Sequence, residues 1–226
     1  GSRATGAALC LSAAAGVELD DVTLDESAQV GGQQLRLNGA GIAARLIFKI
    51  YAMGLYLPDR MRVAEQVLRA DGPRRITLVP LRDISAQAFQ DAVLQDLTSS
   101  HGRHGARTMA QMAALAGAIA RRPQGLRKGD VLTLDWIPGT GAVATLNQAP
   151  LGPAVHDIDF YNAMLAIWLG ERPTDPALKA RLLGTEPLPA RQPPLPGTRP
   201  RAWSARRKSK STPWSACVTV SRNSLR

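Results

Sequence analysis

Cysteine is nearly missing from this chain. The two present, Cys10 and Cys217, lie in opposite terminal segments and leave the presumptive core without a thiol. They supply neither a disulfide framework nor metal-type spacing, so the core is indifferent to a reducing or an oxidising compartment. Long hydrophobic runs are missing as well. None beyond the first residues reaches the roughly 18 that a membrane-crossing helix needs. His101 and His104 have metal-like spacing, but they sit in a Gly-broken loop with no third ligand, and no metal or other cofactor is expected. Gly39-Ala40-Gly41 and Gly139-Thr140-Gly141 are each followed by a strand pattern rather than a helix, which excludes a phosphate cradle. Asp157 and Asp159 read as helix-capping residues, and no nucleophile–base pair can be assigned.

What is present divides the 226 residues unevenly. The formal charge is +10. Nine Lys/Arg and one acid between Glu186 and Arg226 make +8 of it, leaving only +2 for everything before. The folded part therefore carries no overall nucleic-acid signature. One domain of about 170 residues between two tails is the natural division. Gly1–Gly16 resembles the back half of a secretory signal peptide, with cleavage expected near Ala15 or Gly16. That places the protein in the periplasm or outside the cell. Residues 17–184 are the domain. Residues 185–226 are Pro-rich, then Ser/Arg/Lys-rich, lack apolar periodicity, and are expected to be disordered. Such a tail suits weak contact with an acidic surface, although solvated disorder is the simpler expectation.

Within the domain, Val17–Leu37 reads as two short strands, Val22–Leu24 and Gln34–Leu37, with Gly31-Gly32 as the turn between them. Val63–Ala70 reads as a short helix and Arg75–Leu81 as a strand that Pro80 bends or places at an edge. Ser85 caps a helix to Leu97, with Phe89, Ala92, Val93 and Leu97 on one face and Asp96 near its margin. Thr108–Arg122 is a second helix with Met109, Met112, Leu115, Ala116 and Ile119 inward. A hairpin over Gly125–Leu146 turns at Pro138-Gly139-Thr140-Gly141. Asp159–Gly170 is a helix with Phe160, Met164, Ile167 and Trp168 inward. Asp175, followed by Pro176, starts the last helix, to Leu183.

The stretch NGAGIAARLIFKIYAMGLYLP, Asn38–Pro58, is the centre of this pattern. Asn38–Gly41 reads as a turn into one long buried strand that Pro58 stops. If no bulge intervenes, Ala43, Arg45, Ile47, Lys49, Tyr51 and Met53 share one face. Ala44, Leu46, Phe48, Ile50, Ala52 and Gly54 share the other, which is apolar or small and should meet the core. The first face mixes cations and a phenol with apolar groups, which suits a cleft for an amphipathic ligand. On the residue pattern alone, Arg45 and Lys49 are equally readable as solvated cations of a half-exposed strand.

The same stretch carries a resemblance. GAGI and FKIYAMGLYLP, with KGDVLTLDWIPGTG (128–141) and DFYNAMLAIWLGERPTDPALKARLLG (159–184), resemble the chalcone isomerase-like family, especially its bacterial secreted branch. The resemblance implies an α+β fold, an open-faced antiparallel β-sheet layer covered by helices, with a cleft between the long strand and the helices. It also implies where chemistry should sit. Active members hold a phenolate and a developing enolate with a strand arginine, a strand threonine and a tyrosine–asparagine pair. Matched motif to motif, these positions are Ala43, Tyr51, Phe89 and Asp96, and all four depart from the catalytic pattern. Chalcone isomerisation is therefore not expected.

Tyr51 does resemble the family's fatty-acid-binding branch, in which a strand tyrosine and arginine hold a carboxylate. Arg45 would replace the missing arginine from two residues further on, about 6.5–7 Å along the same face. Its paired N–H donors suit a carboxylate, and Tyr51 adds a third. The expected ligand site is Arg45, Tyr51, Ile47, Met53, Phe89, Val93 and Asp96. The expected function is binding of a small apolar carboxylate, such as a fatty acid, without turnover. The enzyme alternative is an isomerase or lyase acting through Tyr51 and a buried Asp96 of raised pKa. An envelope interaction module without a pocket is the third reading.

Overall fold

The structure, a computed structural model, describes residues 16–45, 48–99 and 105–186. For residues 45, 92–94 and 96–99 it describes the backbone alone. The expected leader before residue 16, the tail from 187 onward, His101 and His104 all lie outside the described residues.

Among the described residues, nine strands and five helices follow one another along the chain. β1 (Gly16–Leu19) and β2 (Val22–Asp25) form a separate two-stranded sheet. β3 (Ser27–Val30), β4 (Gln33–Arg45), β5 (Phe48–Leu57), β6 (Arg74–Pro80), β7 (Leu132–Ile137), β8 (Gly141–Leu146) and β9 (Ala149–Pro150) pair in chain order into one sheet. Every one of its ladders is antiparallel. The helices are α1 (Ala64–Arg69), α2 (Ala86–Ser99), α3 (Ala106–Ala120), α4 (Ile158–Leu169) and α5 (Pro176–Leu182). Among the described residues, no helix is long and apolar enough to cross a membrane.

The long strand of the sequence reading is in fact a hairpin. β4 and β5 run antiparallel, with Arg45 opposite Phe48. No Gly, Pro, Asn or Asp stands in Arg45–Phe48, so the turn carries no composition signal. Asn38–Gly41 is not a turn; it lies within β4. The glycines there serve close approach. A Cβ on Gly39 would overlap the backbone carbonyl oxygens of Arg181 and Leu182 at the end of α5, and one on Gly41 would press on Leu178. Asn38, buried beside them, donates to Leu182 O at 2.8 Å and Met61 O at 2.9 Å, and accepts from Met61 N at 2.7 Å. Gln34–Leu37, read as a separate strand, is the start of β4, and β1 and β3 are additional short strands. Pro80 does not mark an edge strand. It closes a central one, where it sits opposite Tyr51 and beyond the last residue paired to β7, so its missing N–H costs no ladder bond.

A bulge changes the facing of β5. Tyr51 pairs with Ala43 and Lys49 with Ala44, so Ile50 is the extra residue and the alternation inverts across it. Lys49 consequently does not share the face of Tyr51. It reaches the β1–β2 turn and bonds Asp20 at 2.9 Å. Phe48, expected on the core face, is 55% exposed.

Both faces of the sheet are buried along the middle of β5, against different partners. Met53, Leu55 and Leu57 join Ile76, Leu78 and Leu134 under Phe160, Met164 and Leu165 of α4 and Leu178 and Leu182 of α5. Ala52 and Tyr56 face the other way and join Leu37, Ala40 and Val79 under Leu19 and Leu24 of β1–β2. The main core thus lies on the face of Tyr51 and Met53, not on the all-apolar face that the alternation favoured. Helix caps follow the sequence. Ser85 accepts from Ala88 N, Asp157 from Asp159 N and Asp175 from Leu178 N.

Candidate functional site

β4–β8 share one end, formed by the β4–β5 hairpin tip, the close of β6, the start of β7 and the close of β8. At this end the helices do not fill the space above the sheet. A cavity of about 820 Å³ opens there, within the size range of ligand pockets. Its floor includes Ala43, Ile50 and Tyr51 of the hairpin, Ile76 and Leu78 of β6, and Leu132 and Leu134 of β7. Its roof and sides include Phe89 of α2, Leu115 and Ile119 of α3, and Met164, Ile167 and Trp168 of α4.

Sequence explains why these side chains converge. Ala43 stands directly opposite Tyr51 and leaves the phenol room. α4 is apolar on nearly every side, and eight of its residues are buried, so it lies in the middle of the helical layer. Asp157 starts it and Gly170 ends it, which carries Trp168 to the cavity. The indole N–H of Trp168 donates to the Tyr51 hydroxyl oxygen at 2.8 Å. A phenol on the sheet and an indole on the helix are thereby fixed to each other across the cavity wall.

The charged wall groups come from two loops. Asp83 accepts from Lys128 N at 2.8 Å, and Asp175 is committed to its cap at 3.0 Å. Arg82 lies with its guanidinium carbon 5.8 Å from the centre of the Phe48 ring. Segment 80–84, which carries Arg82, is tied on both sides. Leu81 N donates to Ile50 O at 2.9 Å, and Ile84 and Leu126 exchange a reciprocal backbone pair at 2.8 and 2.9 Å.

Of the residues expected at the site, Tyr51 and Phe89 line this cavity. Met53 does not. It is 1% exposed, packed in the main core further along the same strand face. Arg45 is placed by its backbone, two residues beyond Ala43 in β4, while Ile47 and the side chains of Arg45, Val93 and Asp96 lie outside the described residues. Among the described residues, no cluster of three His, Cys, Asp or Glu side chains could hold a metal ion. Trp168 reads from the sequence as core, and nothing in the sequence pattern singles out Arg82. What could have marked Arg82 is its place two residues past Pro80, but that matters only once Pro80 is known to face Tyr51.

The opposite end of the same sheet face holds a group the sequence reading also passed over. Arg74 is 0% exposed. It donates to Val67 O at 2.7 Å and, at 3.3 Å each, to Leu68 O and Asn162 Oδ1, while its guanidinium carbon lies 5.1 Å from the centre of the Tyr161 ring. Burial lowers the Arg74 pKa and raises that of Tyr161. Its parity with Ile76 and Leu78 was the available signal, since i and i+2 share a strand face. Arg75, facing the other way, makes a two-point pair with Asp135 at 2.6 Å each.

The comparisons with known proteins bear on this arrangement. No curated protein matches the chain. Among solved structures it is similar to a fatty-acid binding protein of Arabidopsis thaliana, with a TM-score of 0.55 and 16% identity over 73% of this chain and 92% of that one. At that identity the likeness speaks for the fold. The sequence pattern described as chalcone isomerase-like matches residues 16–184, a span that holds the curled antiparallel sheet, the helical layer and the cavity between them. The chain belongs to the chalcone isomerase-like family.

Proposed function

We propose that the cavity binds a small apolar carboxylate, such as a long-chain fatty acid, and does so without turning it over. The observation that carries this reading is the cavity itself, a space of about 820 Å³ with largely apolar walls and the hydroxyl of Tyr51 fixed by Trp168 at its edge. A long apolar chain gains from leaving water wherever it meets such walls. A few fixed polar groups then set its orientation. Tyr51 and Arg45 are the proposed carboxylate anchors, with Phe89, Ile47 and Val93 against the chain and Asp96 at the margin. The likeness to the Arabidopsis fatty-acid binding protein supports the reading at the level of the fold that would house such a ligand.

Titration calorimetry of the full chain with a saturated long-chain fatty acid tests it. One saturable site is expected. Tyr51→Phe should weaken binding about five- to tenfold by loss of one hydrogen bond, and Arg45→Ala should weaken it comparably. An unchanged affinity in Arg45→Ala removes the Arg45–Tyr51 pair as the anchor. Absence of fatty-acid binding, with no lipid retained in native mass spectrometry, rejects the reading as a whole.

A further inference from the structure

The cavity's charged wall groups differ in how far they are already committed. Asp83 and Asp175 both accept backbone N–H bonds, at 2.8 and 3.0 Å. Among the described residues, Arg82 is the cation in the cavity wall. Nearby cations are held by acids. Lys49 pairs with Asp20 at 2.9 Å and Lys128 with Asp21 at 2.8 Å. Arg82 pairs with no acid among the described residues and instead lies over the exposed ring of Phe48.

Its setting is fixed where its tip is accessible. Leu81 and Ile84, on either side, are hydrogen-bonded to β5 and to Leu126, so the Arg82 backbone sits on a tethered segment rather than a loose loop. Phe48 offers a flat face, and a guanidinium stacked on an aromatic ring keeps its in-plane N–H donors available to a carboxylate. Pro80, two residues earlier, is the strand partner of Tyr51. Arg82 therefore stands at the same end of the sheet as the phenol, at the outer edge of a cavity whose inner walls are Ile119, Leu126 and Leu132.

We propose that Arg82 is the charge-selecting residue of this cavity. It meets, beside Phe48, the same carboxylate that Arg45 and Tyr51 are proposed to anchor, while the apolar chain runs inward toward Leu132 and Ile119. This deepens the binding function proposed above and rests on it. It adds the loop after β6 to the β4–β5 hairpin as a determinant of head-group selection. An exposed guanidinium–carboxylate contact is screened by water and salt, so its contribution is modest, falls on the acid alone, and shrinks as salt rises.

The test compares a long-chain fatty acid with the fatty alcohol of the same chain length, by calorimetry on the full chain, at low and at high salt. Arg82→Gln removes the charge and keeps a polar side chain. Arg82→Lys keeps the charge and loses the planar fork. The unsubstituted protein should prefer the acid. Arg82→Gln should reduce that preference about three- to fivefold by weakening the acid alone, Arg82→Lys should fall between, and high salt should narrow the preference more where residue 82 is cationic than in Arg82→Gln. Thermal melting of both variants should match the unsubstituted protein, since the side chain is exposed. If Arg82→Gln binds the acid as tightly as before, Arg82 does not read the charge, and the cavity's binding function stands without it. Equal weakening of acid and alcohol overturns charge selection in favour of a role in shape. If the unsubstituted protein binds the alcohol as well as the acid, the charge-selection proposal falls and the cavity takes apolar chains regardless of head group. If it binds neither, both proposals fall.

Discussion

One face of one sheet has two ends in this protein, and they are built differently. Where α1, α4 and α5 cover it, the space is filled. Leu55, Leu57 and Val67 are fully buried, the Arg74 guanidinium lies over the Tyr161 ring, and even Gly39 of β4 is there to admit a helix backbone. Where α2 and α3 cover it, about 820 Å³ is left open. α4 serves both ends, offering Phe160 and Tyr161 to the filled one and Ile167 and Trp168 to the open one. The difference shows where this chain spends packing on stability and where it withholds it. Close-packed interiors do not leave such a space by accident of side-chain size, and the open end is also where the phenol, the indole and Arg82 gather.

The largest expected effect attacks the filled end. Gly39→Ala sets a methyl against two backbone carbonyls that cannot rotate away. It should lower stability by about 3 kcal/mol, read as a loss of denaturant midpoint; an unchanged midpoint would show that α5 is not seated as described. The next is a pH effect. Burial, with the Asp25 charge adding to it, pushes the Tyr56 phenol up to about 12, and its hydroxyl donates to Asp25 O at 2.9 Å. Because the folded pKa lies above the unfolded one, the stability it contributes is whole below about pH 10 and is lost as pH rises toward 12, up to about 2.5 kcal/mol. Tyr56→Phe should flatten that part of the stability–pH curve, while Tyr161, also raised, leaves some slope behind.

A pair of opposite-sign substitutions separates the ends most directly. Ala163→Leu adds volume where the core is full and should cost about 1–2 kcal/mol. Ala144→Leu adds the same volume to the cavity wall and should be neutral or stabilising in a thermal melt while reducing fatty-acid binding. Equal destabilisation by both would mean that the open end is not open. The smallest effect is at the rim. Lys49→Ala breaks a solvent-exposed ion pair with Asp20 and should change stability by no more than about 0.5 kcal/mol.

Much of this fold is readable from local chemistry. Ser85, Asp157 and Asp175-Pro176 announce their helices because a cap is a bond between residues two or three apart. Met112, Ala116 and Ile119 announce the inward face of α3 by period alone. What was not legible depends on distant partners. Asn38–Gly41 looks like a turn because glycine usually marks one, and only the arrival of α5 explains it as a strand. The bulge at Ile50 moves Lys49 to the opposite face and has no residue that signals it. Arg74 carries no local sign of its burial because its acceptors belong to α1 and α4, and Arg82 carries none of its position because the cavity it borders is assembled from elements across the chain.

Asn38 has a further consequence. One amide in the first long strand is completed by a carbonyl 144 positions later, and the groove beside it is closed by that same final helix. On a ribosome, β4 is therefore made early but must wait, with polar and apolar surface uncovered, until nearly all of the domain has emerged. Closure over so long a separation makes for slow, late completion. For most of its synthesis this domain is a sheet in search of its lid.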